Sequence, residues 1–199
     1  VLHRRRHWIF DMDGTLTVPA HDFAAARRAL GIPPGADILA HIAALPAAEA
    51  AAAQAWLARW EQDIADRAEL QPDAGALVEA LVARGARLAI LTRNTVPVAH
   101  RTLRAIGLAD RFESAVVLGR ESARPKPAPD GVLRILRHWA VAATDAVVVG
   151  DYLHDVRAGR AAGTATVLVN RRSEVGWEGE ADLVVGSLAG LATQVGAAP

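Results

Sequence analysis

Two carboxylates, two residues apart, leave an apolar run in Phe10-Asp11-Met12-Asp13-Gly14-Thr15-Leu16. Anions held so close repel, and the pair needs a cation or a shared proton. Gly14 lets the backbone turn sharply behind them. In an extended chain residues i and i+2 face one side, so both carboxylates are expected together unless the chain is already turning. A second pair, Asp151 and Asp155, follows another apolar run in Gly150-Asp151-Tyr152-Leu153-His154-Asp155. Oxygen-rich clusters of this kind suit Mg²⁺, which keeps several waters and takes one or two carboxylates plus phosphate. Taken singly, the first pair also reads as a solvated acidic turn, and Asp155 as an acid at a helix N-terminus.

Two further features complete the set. Thr92 closes the run Leu88-Ala89-Ile90-Leu91 and is followed by Arg93 and Asn94. A hydroxyl, backbone amides and an amide side chain at a strand end can hold phosphate oxygens. Lys126 lies in Arg124-Pro125-Lys126-Pro127-Ala128-Pro129, where the prolines stiffen the loop. The chain carries 22 basic residues, and Lys126 is its single lysine. A chain that writes Arg everywhere else points to a position needing an ammonium, although a lysine in such a loop also reads as solvated.

The elements that must position these residues follow from short apolar runs bounded by turns. Trp8-Ile9-Phe10, Leu88-Leu91, Ala115-Val116-Val117-Leu118, Ala146-Val147-Val148-Val149 and Ala165-Thr166-Val167-Leu168-Val169 read as strands buried on both faces, with Leu183-Val184-Val185 a possible sixth. Helical stripes lie between them: one from Asp73 ending at Gly85, one over residues 98–106, one after Pro129, and one over residues 156–162 ending at Gly163. Alternating strands and helices predict an open, three-layer α/β fold on a parallel sheet, with ligands beyond the carboxyl ends of the strands. About 55 residues interrupt the alternation after the first strand. Asp22 caps a helix through Leu30, residues 37–45 form a second, and Pro46 starts a long third reaching about Leu70. This reads as a small helical insertion. Trp56, Trp60 and Ile64 fall at helical spacing, as expected for packing between its helices.

Composition narrows the class. The 199 residues are 52% hydrophobic and 22% charged, enough for a buried core. Basic and acidic residues balance at 22 each, which argues against a nucleic-acid partner. The absence of cysteine excludes thiolate nucleophiles and zinc–thiolate sites and fits a reducing, cytoplasmic setting. No apolar run approaches the ~20 residues of a membrane span. The basic start Val1-Leu2-His3-Arg4-Arg5-Arg6-His7 is followed by only three apolar residues, so no secretory segment is expected.

The ordered set Asp-x-Asp-Gly-Thr, Thr92, Lys126-Pro127 and Gly-Asp-x-x-x-Asp resembles the haloacid dehalogenase-like hydrolase superfamily, in its phosphoglycolate-phosphatase-like branch, from Trp8 to about Leu188. The resemblance implies a Rossmann-like core with strand order 5-4-1-2-3, comprising residues 1–16 and 73–199. It also implies a mobile helical cap over residues 17–72. It implies that Asp11 attacks phosphorus to form an aspartyl-phosphate, and that Asp13 protonates the leaving alkoxide and then deprotonates water. Thr92, with Arg93, Asn94 and His21, would bind phosphate or substrate, and Lys126 would neutralise the anions. Mg²⁺ would be held by Asp11, Asp151 and the main-chain carbonyl of Asp13, while Asp155 would ligate through water or steady Lys126.

The implied activity is Mg²⁺-dependent hydrolysis of a small phosphorylated metabolite. A sugar-phosphate mutase and a catalytically silent regulator remain the alternatives. Asp13 disfavours dehalogenation, whose members lack that second acid, and the lysine-free insertion disfavours Schiff-base phosphonate cleavage. Thr17-Val18-Pro19-Ala20-His21 departs from the acidic-plus-Ser step common in the family, which detaches the leaving group from phosphoglycolate itself. His21, Asp22, Arg27 and Arg59 are the polar candidates for contacting that group, with a solvated helix face as the other reading of the two arginines. Trp177, in the polar loop 171–180, has no functional reading.

Overall fold

The computed structural model describes residues 2–170, 176–177 and 179–196, so most of the loop at 171–180 lies outside the described residues. Six strands form one sheet: β1 (His7–Phe10), β2 (Arg87–Leu91), β3 (Val117–Leu118), β4 (Ala146–Gly150), β5 (Ala165–Val169) and β6 (Leu183–Val185). Their order is β3-β2-β1-β4-β5-β6, and every pairing is parallel. The expected five-strand order is therefore present, with β6 added beside β5.

The period of two along each strand sorts the core into two layers. Trp8 and Phe10 point to one face with Leu88, Ile90, Val147 and Val149. There they meet α4 (Ala74–Ala83), α5 (Val96–Ala105) and α8 (Leu188–Gln194). Ile9, Ala89, Leu91 and Val148 point to the other face and meet α6 (Asp130–Trp139) and α7 (Leu153–Ala162). Trp8, Ile9 and Phe10 are all fully buried, so β1 is clamped from both sides at the root of the Asp11 motif. Each such side chain contributes roughly 1.5–3 kcal/mol by leaving water.

Helices α1 (Phe23–Ala29), α2 (Ile38–Ala43) and α3 (Ala47–Asp66) lie between β1 and α4 and pack around an apolar cluster of their own, including Ala26, Ile38, Ile42 and Leu57. Asp22 and Asp37 cap α1 and α2 by accepting from the Ala25 and Ala40 amides. The two chain crossings into and out of this segment pair with each other. The Val18 amide donates to the Glu69 carbonyl (3.0 Å) and the Gln71 amide to the Leu16 carbonyl (2.8 Å), around an antiparallel bridge of Thr17 and Leu70.

That bridge explains one departure from the sequence reading. α3 stops at Asp66 rather than near Leu70, because residues 67–70 leave the helix to reach Thr17. A second departure is β3, expected over four residues and reduced to two, since Ser114–Val116 winds as a 3₁₀ turn at the sheet edge. α7 also begins three residues earlier than expected, at Leu153. Among the described residues, no helix is long and apolar enough to cross a membrane.

Candidate active site

The carboxyl ends of β1, β2 and β4 converge where the chain order reverses beside β1, the usual position of a ligand crevice in an open parallel sheet. The Asp11 amide continues the ladder by donating to the Val149 carbonyl (2.8 Å), which fixes Asp11 at the sheet edge. Its carboxylate Oδ1 accepts from Lys126 Nζ at 2.5 Å. The same ammonium lies 2.5 Å from Asp155 Oδ1 and donates to the Leu91 carbonyl at 2.7 Å. An ammonium has three donors, and all three are taken here. Lys126 is 4% exposed, so the solvated-lysine reading fails.

Asp155 is held twice. Besides Lys126, it accepts the Tyr152 amide on Oδ2 (3.1 Å) at the start of α7. Asp151 completes an acidic cluster, with one carboxylate oxygen each from Asp11, Asp151 and Asp155 within 4.8 Å of one another. Thr15 Oγ1 donates to Asp151 Oδ1 at 3.4 Å. Both glycines of the motifs make room for acids. A Cβ on Gly14, at φ +83°, would stand 2.3 Å from Asp151 Oδ2, and one on Gly150 would stand 2.3 Å from the Asp155 carboxyl.

Charge balance gives the cluster its chemistry. Among the described residues, three carboxylates and one ammonium leave about two negative charges in a confined space, a set that a divalent cation would neutralise. Burial pushes the Asp11 carboxyl well above the ordinary carboxylate range; Lys126 pulls it back, while Asp155 and Asp151 push it further up. Burial also opposes the charge on Lys126, but Asp11 and Asp155 outweigh it and hold the ammonium above its ordinary value. The ammonium therefore stays charged, and the surplus strain falls on the acids.

Asp13 does not join the cluster through its side chain. The strand ends at Phe10, the chain turns, and the two acids part instead of sharing one side. Asp13 Oδ2 accepts from Asn94 Nδ2 at 2.7 Å, and Oδ1 lies 3.6 Å from His21 Nδ1. Burial raises the Asp13 carboxyl, against the lowering effects of His21, Lys126, Thr92 and Asn94. Thr92 Oγ1 also accepts the Asn94 amide at 3.1 Å, locking the turn after β2.

A cavity of about 600 Å³ opens above these groups, lined by Asp11, Asp13, Thr92, Lys126 and Asp151 below and by the helical segment above. Of the polar candidates, His21 and Arg27 line it. Asp22 is spent as the α1 cap, and Arg59 is exposed away from the cavity wall. Arg93 lines the cavity, yet its terminal nitrogens reach Asp37 Oδ2 (2.5 Å) and His154 Nδ1 (3.1 Å). Sequence reasoning missed this bridge between α2 and the core. It also missed Glu61, 5% exposed, which pairs bidentately with Arg120 at 2.6 and 3.0 Å. Acids inside an otherwise apolar helix stripe were the available signal.

Comparison with known proteins agrees with this geometry. A family model described as haloacid dehalogenase-like hydrolase matches residues 6–163. A haloacid dehalogenase-like hydrolase domain-containing protein of Arabidopsis thaliana is 34% identical over 188 residues, covering 87% of this chain and 74% of that protein. A phosphoglycolate phosphatase of Rhodospirillum rubrum is 33% identical over 189 residues, covering 81% of this chain and 78% of its own. Among solved structures, a hydrolase from Pseudomonas syringae superposes with a TM-score of 0.79 at 21% identity, over 96% of this chain and 98% of that one, a likeness of fold.

Proposed function

The chain belongs to the haloacid dehalogenase-like hydrolases, and from that premise we propose that it is a Mg²⁺-dependent phosphatase of small phosphomonoesters. The observation that carries this reading is the division of labour between the two acids of the first motif. Asp11 is paired with a buried ammonium beside two further carboxylates, while Asp13 is held apart by Asn94 and lies beside His21.

Asp11 attacks phosphorus, the bond to the leaving oxygen breaks, and Asp13 gives that oxygen its proton. Water then attacks the aspartyl-phosphate, Asp13 takes the water's proton, and the phosphorus–Asp11 bond breaks. Lys126 opposes the effect of burial on Asp11 and places an ammonium beside the phosphoryl oxygens. Thr92, at the end of β2 on the cavity lining, is placed to bind the same group, and Asn94 fixes the Asp13 carboxyl. Asp11, Asp151 and the main-chain carbonyl of Asp13 would hold Mg²⁺, which would supply charge neutralisation for the transferring group. Asp155 is committed to Lys126 and to the α7 amide, which supports a steadying role over direct ligation.

Residues 17–72 serve as a cap over this site. The paired crossings at Thr17 and Leu70 support a hinge, and Asp37–Arg93, Glu61–Arg120 and Asp66–Arg101 support docking of the cap on the core. The test is hydrolysis of p-nitrophenyl phosphate with Mg²⁺, with and without chelator, together with borohydride trapping of the acyl-phosphate at Asp11. Turnover undiminished in excess chelator, or a trapped residue other than Asp11, overturns the reading.

A further inference from the structure

We propose that the leaving-group side of the cavity is an aromatic subsite, and that the preferred substrate is the phosphate ester of an alcohol bearing a flat aromatic ring. The proposal rests on the phosphatase reading above and adds the chemistry of the leaving group. Of the large apolar side chains exposed among the described residues, the two most exposed are Phe23 (50%) and Tyr152 (51%). Both line the catalytic cavity, Phe23 from the cap and Tyr152 from the core beside Asp151. Apolar side chains left in water at a cavity mouth mark a binding surface more often than a packing failure.

Both rings are braced by other aromatic groups. Phe23 stacks on His21 (centroids 5.2 Å apart, planes 11° apart) and meets the edge of Trp60 at 6.0 Å. Trp60 in turn stacks on Trp56 at 6.0 Å and 17°. Tyr152 stands edge-on to His154 at 5.0 Å and to Trp177 at 5.1 Å. Rings held in this way lose little freedom when a ligand ring joins them, and they prefer offset or edge-to-face partners. Trp60 and Trp177, which sequence reading left to packing and to no role, thereby acquire one.

Two charged groups of the wall are already paired within the protein. Arg93 is engaged by Asp37 and His154, and the Glu61 carboxylate on the wall is matched by Arg120. Arg27 donates Nε to the Ala36 carbonyl (2.8 Å) and is the cation a carboxylate-bearing leaving group would turn to, which makes 2-phosphoglycolate the natural competitor. A cavity of about 600 Å³ also far exceeds the needs of a two-carbon acid.

The experiment compares kcat/KM of the Mg²⁺-loaded protein for benzyl phosphate, cyclohexylmethyl phosphate and 2-phosphoglycolate. The first two leaving groups are primary alcohols of similar size, so their ratio reads the aromatic face. Benzyl phosphate is expected to lead cyclohexylmethyl phosphate by about tenfold. Phe23→Ala and Tyr152→Ala should each shrink that ratio, which a general loss of folding leaves unchanged. Calorimetric binding of 2-phenylethylphosphonate and 2-cyclohexylethylphosphonate, which cannot be hydrolysed, gives the same comparison without turnover. Hydrolysis of all three esters with a ratio near one, with 2-phosphoglycolate foremost, or with ratios unmoved in both variants overturns the aromatic subsite and leaves the phosphatase reading standing. Tighter binding of the aromatic phosphonate without turnover of any ester sustains the subsite and overturns the phosphatase reading.

Discussion

Replacing Lys126 by Met removes one charge from the centre of the site while keeping most of its stem. The ammonium lies 2.5 Å from both Asp11 and Asp155, and the three side chains are 3%, 11% and 3% exposed. Without it, Asp11 and Asp155 lose the ammonium that pairs them, beside the Asp151 carboxylate. Their least costly response is to bind a proton. At pH 7, protonating a carboxyl of ordinary pKa about 3.9 costs about 4 kcal/mol, and at pH 5 about 1.5 kcal/mol, at 1.36 kcal/mol for each pKa unit. These values bound from above the expected loss of stability relative to wild type, because burial already raises the Asp11 carboxyl there. Removing the ammonium takes away the influence that lowers the Asp11 carboxyl, so its folded-state pKa rises further above the unfolded value. The folded variant then binds more protons than the unfolded chain, so its stability falls as pH rises from about 4 toward the raised pKa. Thermal melts in EDTA should show a deficit of up to roughly 8–16 °C at pH 7, at 2–4 °C per kcal/mol for a chain of this size, and less than half of that at pH 5. Mg²⁺ should stabilise the variant more than the wild type, because it then meets about three negative charges instead of two. A variant melting within about 2 °C of wild type at pH 7 in EDTA, or a deficit independent of pH, refutes the electrostatic account of the cluster.

Asp11→Asn should abolish turnover and borohydride trapping while the melt in EDTA stays cooperative; residual trapping would move the nucleophile elsewhere. Asp13→Asn should cost about 10²–10⁴-fold in kcat, more on benzyl phosphate than on p-nitrophenyl phosphate, and equal losses on the two would contradict leaving-group protonation. Gly14→Ala places a Cβ 2.3 Å from Asp151 Oδ2 in a left-handed backbone, so it should cost about 1–2 kcal/mol of stability. It should also raise the Mg²⁺ concentration for half-maximal activity roughly tenfold or more, and an unchanged Mg²⁺ titration would show that Asp151 is not displaced. Arg120→Met strands the nearly buried Glu61 carboxylate and should destabilise by about 3–5 kcal/mol, with much of that regained in the Glu61→Gln/Arg120→Met double variant. Simple additivity in that cycle, measured by urea unfolding, would mean the pair contributes no coupling.

The strands and the acids that leave them were legible in the sequence, because a strand buried on both faces must be apolar throughout and the residues after it inherit its position. Trp8-Ile9-Phe10 and Ala146–Gly150 announced themselves in this way, and Asp11 and Asp151 stand at their ends. The single lysine among 22 basic residues was equally a fact of the sequence. What Lys126 touches was not, since Asp11 lies 115 positions away and the Leu91 carbonyl 35. Nor was the partner of Asp13, since Asn94 lies 81 positions away. The tie of Arg93 to Asp37, the end of α3 at the Thr17 bridge and the gathering of Phe23, Trp60, Tyr152 and Trp177 around one cavity are of the same kind. Periodicity and turn chemistry act over a few residues and fix which face of an element is apolar. The partner of a polar or aromatic group is fixed by how those elements pack, and that packing brings together segments that local pattern leaves unrelated.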